Sequence, residues 1–186
     1  MFIKECKELF DDIFASRCKD STIFKDNSIH NCKTVCTPSD LHHLMPATTV
    51  ALCAHVSHAD ITYSRLSTHL RNSLILYLSE GSTTGGPIAG SIKYIYLRDR
   101  LWKLAVQWQL PAAEGTQDPF KPYPHFPACL YSTALSKQLK EADLTWLVGH
   151  YVRWSITDVL CVILALSHVS SFTIANCCNI LISICL

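Results

Sequence analysis

The chain has 186 residues, with sixteen Lys plus Arg, fifteen Asp plus Glu and a formal net charge of +1, which is long enough for one compact domain with a real core. That balance excludes a strongly basic nucleic-acid binder and an acidic disordered tail. A charged fraction of 17% against roughly 25% in ordinary soluble chains, with 49% apolar residues and six glycines, excludes collagen-like, linker-like and intrinsically disordered classes.

Phe2, Cys6, Leu9 and Ile13 recur at helical spacing, with Phe10 and Phe14 widening the stripe and Lys4, Lys7, Glu8, Asp11 and Asp12 opposite. This predicts an amphipathic helix over residues 2–17. Residues 18–40 carry no steady period and read as a Cys/His loop. That loop holds Cys18, His30, Cys32 and Cys36, with His42 and His43 just beyond. Thiolates and imidazoles bind zinc when four converge, but the adjacent His42 and His43 cannot easily face one ion together, so no metal site is expected.

Residues 41–110 form a charge-sparse middle, read as helical. Ala47–Ala54 suits either a buried strand or a buried helix turn, which periodicity cannot separate in so short a run. Leu66, Leu70, Leu74 and Tyr77 sit at helical spacing, although residues 74–78 are also strand-like, and the Gly/Ser/Thr run 81–87 breaks whatever precedes it. Leu97, Leu101, Leu104 and Trp108 share another helical stripe, closed by Pro111. A Pro-rich connector, residues 111–130, favours an extended polyproline-like path. Within 131–158, Leu135, Leu139, Ala142 and Trp146 mark a further amphipathic helix. Trp102, Trp108, Trp146 and Trp154 lie on these stripes or next to the apolar C-terminal run and read as core or interfacial anchors.

From Val159 to Leu186 no residue is charged. A helix of that length spans about 42 Å, against a bilayer hydrocarbon core of about 30 Å. The fold class expected is therefore mainly α: a small irregular helical domain with a Pro-rich connector and an apolar C-terminal helix. An α/β fold with short buried strands is the alternative. The apolar segment resembles those of tail-anchored membrane proteins, which implies a lipid bilayer as partner through residues 159–186 and an N-terminal part facing the cytosol. Met1–Glu8 carries charges where a secretory signal needs an apolar run, and with no Asn-x-Ser/Thr sequon the ten cysteines read as reduced thiols.

One constellation points to chemistry. His55-x4-Asp60 follows an apolar run and resembles the acyl-transfer motif of the glycerol-phosphate acyltransferase family, with Glu80-Gly81-Ser82-Thr83 similar to that family's phosphate-binding motif. The resemblance implies His55 as the base that deprotonates an acceptor hydroxyl and Asp60 as its orienting carboxylate. Thr83 stands where the family has the arginine that clamps phosphate. No Walker A loop, dinucleotide fingerprint or nucleophile elbow occurs, so no cofactor is expected. The function expected is a non-enzymatic, membrane-anchored protein whose helical part binds a protein partner and not nucleic acid. The alternatives are a membrane-associated acyltransferase using His55 and Asp60, or a truncated or alternatively spliced product without independent function.

Overall fold

The computed structural model of the chain describes residues 32–81, 86–123 and 126–166. These residues are built from eleven strands: β1 (Lys33–Cys36), β2 (Thr49–Cys53), β3 (His55–His58), β4 (Ile61–Ser64), β5 (Leu74–Tyr77), β6 (Ile88–Arg98), β7 (Leu101–Pro111), β8 (Ala128–Leu135), β9 (Lys140–Asp143), β10 (Leu147–Ser155) and β11 (Leu160–Ala165). The longest α-helix among them is a single turn, α1 (Leu70–Ser73), capped by His69 Nδ1 accepting from the Asn72 N–H at 3.3 Å.

Nine strands form one antiparallel sheet in the order β1-β2-β6-β5-β10-β11-β8-β7-β9, and β3–β4 is a separate hairpin. β6 also pairs with β7 along most of its length, from Gly90↔Trp108 to Arg98↔Leu101. That extra pairing closes a circuit of six strands, β6-β5-β10-β11-β8-β7 and back to β6. Closure removes the free edges that an open sheet would expose. The edges left over are β1, which pairs only with β2, and β9, which pairs with β7 through Lys103–Val106.

Three apolar clusters follow from this topology. Leu74, Leu76, Ala89, Tyr151 and Ile163 pack together; β6 and β11 are not neighbours in the circuit, so their side chains meet across its interior. On the other face, Ile75, Tyr77, Ile92, Ile95, Leu104 and Val106 are covered by Val56 and Tyr63 of the β3–β4 hairpin. At the far end of β6–β7, Tyr96 and Ala105 pack with Val50 and Leu52 of β2, Leu41 of the preceding loop and Leu139. Gly90 lets β6 and β7 approach: a Cβ there would lie 2.6 Å from Val106 Cγ1 and 2.9 Å from the Gln107 carbonyl oxygen.

The mainly α expectation is overturned. The stripe Leu97–Trp108 is the β6–β7 hairpin, turned at Asp99 and Arg100, whose φ values of 53° and 63° suit a two-residue turn of the kind that matches strand twist. Both faces of this hairpin are buried, so leucines occur on either face and some fall at helical spacing by coincidence. The stripe 135–146 is divided among β8, β9 and a 3₁₀ turn, and Leu66–Tyr77 becomes α1 followed by β5. The runs 47–54 and 74–78, which suit strand and helix alike by pattern, contain β2 and β5. Residues 160–165 are β11, paired on both sides, so no helix starts at Val159, and no helix among the described residues is long and apolar enough to cross a membrane. The amphipathic helix expected at 2–17 and residues 167–186 lie outside the described residues. In the proline-rich segment, backbone bonds Lys121 to Asp118, Tyr123 to Phe120 and Phe126 to Tyr123 make successive turns in place of an extended path.

Candidate functional site

His55 and Asp60 sit at opposite ends of the β3–β4 hairpin. His55 pairs with Ser64 at its open end, whereas Asp60 lies in the two-residue turn with Ala59, both at positive φ. At about 3.3 Å per residue the strand holds them on the order of 10 Å apart along its axis. Nothing in this arrangement lets Asp60 orient the His55 ring. Among the described residues no serine or threonine hydroxyl is hydrogen-bonded to a histidine ring or a carboxylate; Ser73 and Ser91 bond each other at 3.1 Å, and Ser64 donates to the His69 carbonyl. Burial pushes the Cys161 thiol up, outweighing Arg153 beside it, which keeps it from acting as a thiolate. Ser82 and Thr83 of the phosphate-binding resemblance lie outside the described residues.

The Cys/His residues are dispersed as well. Cys32 forms a disulfide with Cys53, which sets aside the reading of those two thiols as reduced. Cys36 is free and exposed on β1, and His43 Nε2 lies 3.0 Å from the Leu139 carbonyl oxygen. Cys18 and His30 fall outside the described residues. Among the described residues no group of three or more His, Cys, Asp or Glu is placed to hold a metal ion.

The charged groups that do converge are staples between strands. Tyr96 donates to Glu141, Arg98 Nη2 bonds Glu141 Oε1 at 2.6 Å, and Lys103 pairs with Asp143, which fastens edge strand β9 to the β6–β7 hairpin. Lys93 and Tyr94 hold Asp40 at 2.7 and 3.0 Å, fixing the loop before β2. Burial raises the Asp40 carboxyl, but the hydrogen bonds from Lys93 and Tyr94 and the Lys93 charge outweigh it and hold it below the usual range. Tyr94 is pushed up to about 12 by burial and by Asp40. Each of these carboxylates is committed to a neighbour, and none faces an open reaction space with a nucleophile.

What the fold leaves unsatisfied is apolar. Along β10 and β11 the odd positions Tyr151, Cys161 and Ile163 are buried inside the circuit, so the even positions point outward. Val152 faces Leu164 and Trp154 faces Val162 across the ladder, and Leu130 of β8 continues the row beside Val162. The Tyr63 and His150 rings meet at 4.7 Å, tilted by 36°, and Leu130, Val162 and Leu164 on this face are half-buried. Trp154 is 74% exposed, Val159 67%, Ile156 56%, Leu166 54% and Val152 43%. By contrast Trp102 and Trp146 pack on the core, and Lys140 lies over Trp108.

A signal for this strip is present in the sequence. Val152, Trp154 and Ile156 alternate with Arg153 and Ser155, a short stretch of period two, before Thr157-Asp158 interrupts. Residues 160–166 are apolar at every position and carry no alternation, and with no charge after Asp158 they suggest one long helix. No family model, curated protein or solved structure matches the chain.

Proposed function

We propose that the protein is a non-enzymatic module that binds the surface of a lipid bilayer through the apolar outer face of β10 and β11. The observation that carries this reading is that Val152, Trp154, Ile156, Val159 and Leu166, all exposed, fall together on two paired strands and their turn, whereas the other exposed large apolar residues, Val35, Ile61, Leu70, Leu101, Tyr123 and Phe126, belong to other elements. An apolar patch of this kind on an otherwise well-packed domain marks an interaction surface. The charge-free run from Val159 onward continues directly from the strip, which favours a hydrocarbon-rich partner over a charged one. Acyl transfer draws no support from the separated His55 and Asp60, and nucleic-acid binding draws none from a net charge of +1.

Flotation of the purified full chain with vesicles of phosphatidylcholine, alone or mixed with phosphatidylserine, tests the reading. The chain should rise with the lipid while keeping a strand-rich circular dichroism spectrum. A folded chain that stays at the bottom of the gradient with both kinds of vesicle overturns it.

A further inference from the structure

At the tip of the β10–β11 hairpin most peptide groups have partners within the fold. Ile156 N–H and Thr157 N–H both donate to the Leu160 carbonyl, at 2.9 and 3.2 Å. The Thr157 hydroxyl oxygen accepts from Val159 N–H at 3.3 Å and from Leu160 N–H at 3.0 Å. Two carbonyls of the tip are taken by β8: Thr133 Oγ1 donates to the Asp158 oxygen at 2.6 Å and Thr133 N–H to the Val159 oxygen at 3.0 Å. Peptide groups that already have partners lose little when water is withdrawn, whereas unpaired ones are costly in an apolar medium. The exposed side chains of this turn are Ile156, Thr157, Asp158 and Val159, with Trp154 just behind them.

Charge around the tip is equally telling. Arg153 is turned inward, its Nη2 donating to the Thr133 carbonyl at 2.6 Å. Asp158 is the only charged residue after Arg153. The tip therefore offers no free cation to an anionic headgroup, and basic residues are what draw proteins to anionic leaflets. A tryptophan, with its apolar body and N–H handle, belongs at headgroup level.

Resting on the bilayer reading above, we infer that the contact is the rigid tip Trp154–Val159 entering the interfacial layer of a zwitterionic, phosphocholine-type surface, with no requirement for anionic lipid. Tip and strip do this as folded strands, and no spanning helix is involved in the contact.

The test uses the full chain and vesicles of phosphatidylcholine, alone or mixed with phosphatidylserine, with brominated phosphatidylcholines as quenchers. Subtracting the emission of Trp154→Phe isolates the Trp154 signal from the other three tryptophans. The Trp154 signal should shift to the blue and be quenched most by bromines near the headgroup end of the acyl chain. Phosphatidylserine and added salt should not strengthen binding, and the double variant I156S/V159S should weaken it at least tenfold. Vesicle binding with Trp154 unquenched, binding unchanged in the double variant, or binding that needs phosphatidylserine overturns this inference and leaves the bilayer reading intact. No binding of the full chain to any vesicle overturns both. Should the double variant fail to fold, the quenching of Trp154 in the unaltered chain still decides.

Discussion

Tyr77, Tyr96 and Tyr151 are among the largest fully buried side chains, and their burial makes the fold sensitive to alkali. Burial raises the ionisation of all three well above the ordinary phenol value, with Glu141 adding to the effect at Tyr96. Below about pH 10 folded and unfolded chains both keep these protons, and the stability is fully present. Above it the unfolded chain releases protons that the folded chain retains, so stability falls by about 1.4 kcal/mol per pH unit for each tyrosine. Three together give about 4 kcal/mol per unit, enough to consume a typical total of about 5–15 kcal/mol within a few units. The hydroxyls of Tyr77 and Tyr151 have no hydrogen-bond partner among the described residues, which makes them suitable for removal. Tyr77→Phe with Tyr151→Phe should be neutral or stabilising at pH 7, since an unpaired buried hydroxyl costs about 1–3 kcal/mol. The same pair should remove two shares of about 1.4 kcal/mol per pH unit from the alkaline slope, leaving those of Tyr96, Tyr94 and Tyr63, and move the midpoint to higher pH. Phenolate absorbance recorded alongside far-UV circular dichroism reads both quantities. If Tyr77 and Tyr151 ionise near pH 10 while the strand signal persists, their burial and the packing drawn from it are wrong.

Three other substitutions probe separate parts of the fold. Glu141→Gln removes the charge that holds Arg98 and Tyr96, and thermal unfolding should show a loss of about 2 kcal/mol for a charged hydrogen-bond hub. Gly90→Ala drives a methyl group into Val106 and the β7 backbone, with an expected loss of about 1–3 kcal/mol that Val106→Ala restores only in part, because the Gln107 carbonyl remains. Cys32→Ser opens a loop with a sequence separation of 21 and should lower denaturant stability by about 3 kcal/mol, and added dithiothreitol should have little further effect on that variant.

The apolar content, the glycine- and proline-marked breaks and many individual buried positions are legible in the sequence, while the period is not. Leu97, Leu101, Leu104 and Trp108 lie at helical intervals, yet Leu104 packs in one cluster and its neighbour Ala105 in another on the opposite face. A strand buried on both sides has no polar face to reveal period two. The turns at Ala59-Asp60 and Asp99-Arg100 lack the glycine that flags a two-residue hairpin, so neither hairpin announces itself. In the proposed site, Trp154 is readable as an anchor beside the apolar run, but its exposure depends on which face of β10 turns inward. That is fixed by closure of the circuit through β5, β11 and β8, and the pairings of β10 with β5 and of β11 with β8 are distant in sequence, where no local pattern encodes them. The catalytic reading of His55 and Asp60 rests on spacing alone. Five residues apart, the two fall at opposite ends of a hairpin strand.

Hydrogen–deuterium exchange of the full chain with and without phosphatidylcholine vesicles bears most directly on the claim that a closed strand circuit presents β10 and β11 to a bilayer. Without vesicles, amides of β6, β7 and β11 should exchange slowly, as laddered strands do. With vesicles, protection should rise at residues 152–160 and stay unchanged at 33–53. Rapid exchange across 160–165 without lipid, or added protection everywhere except 152–160, would contradict it.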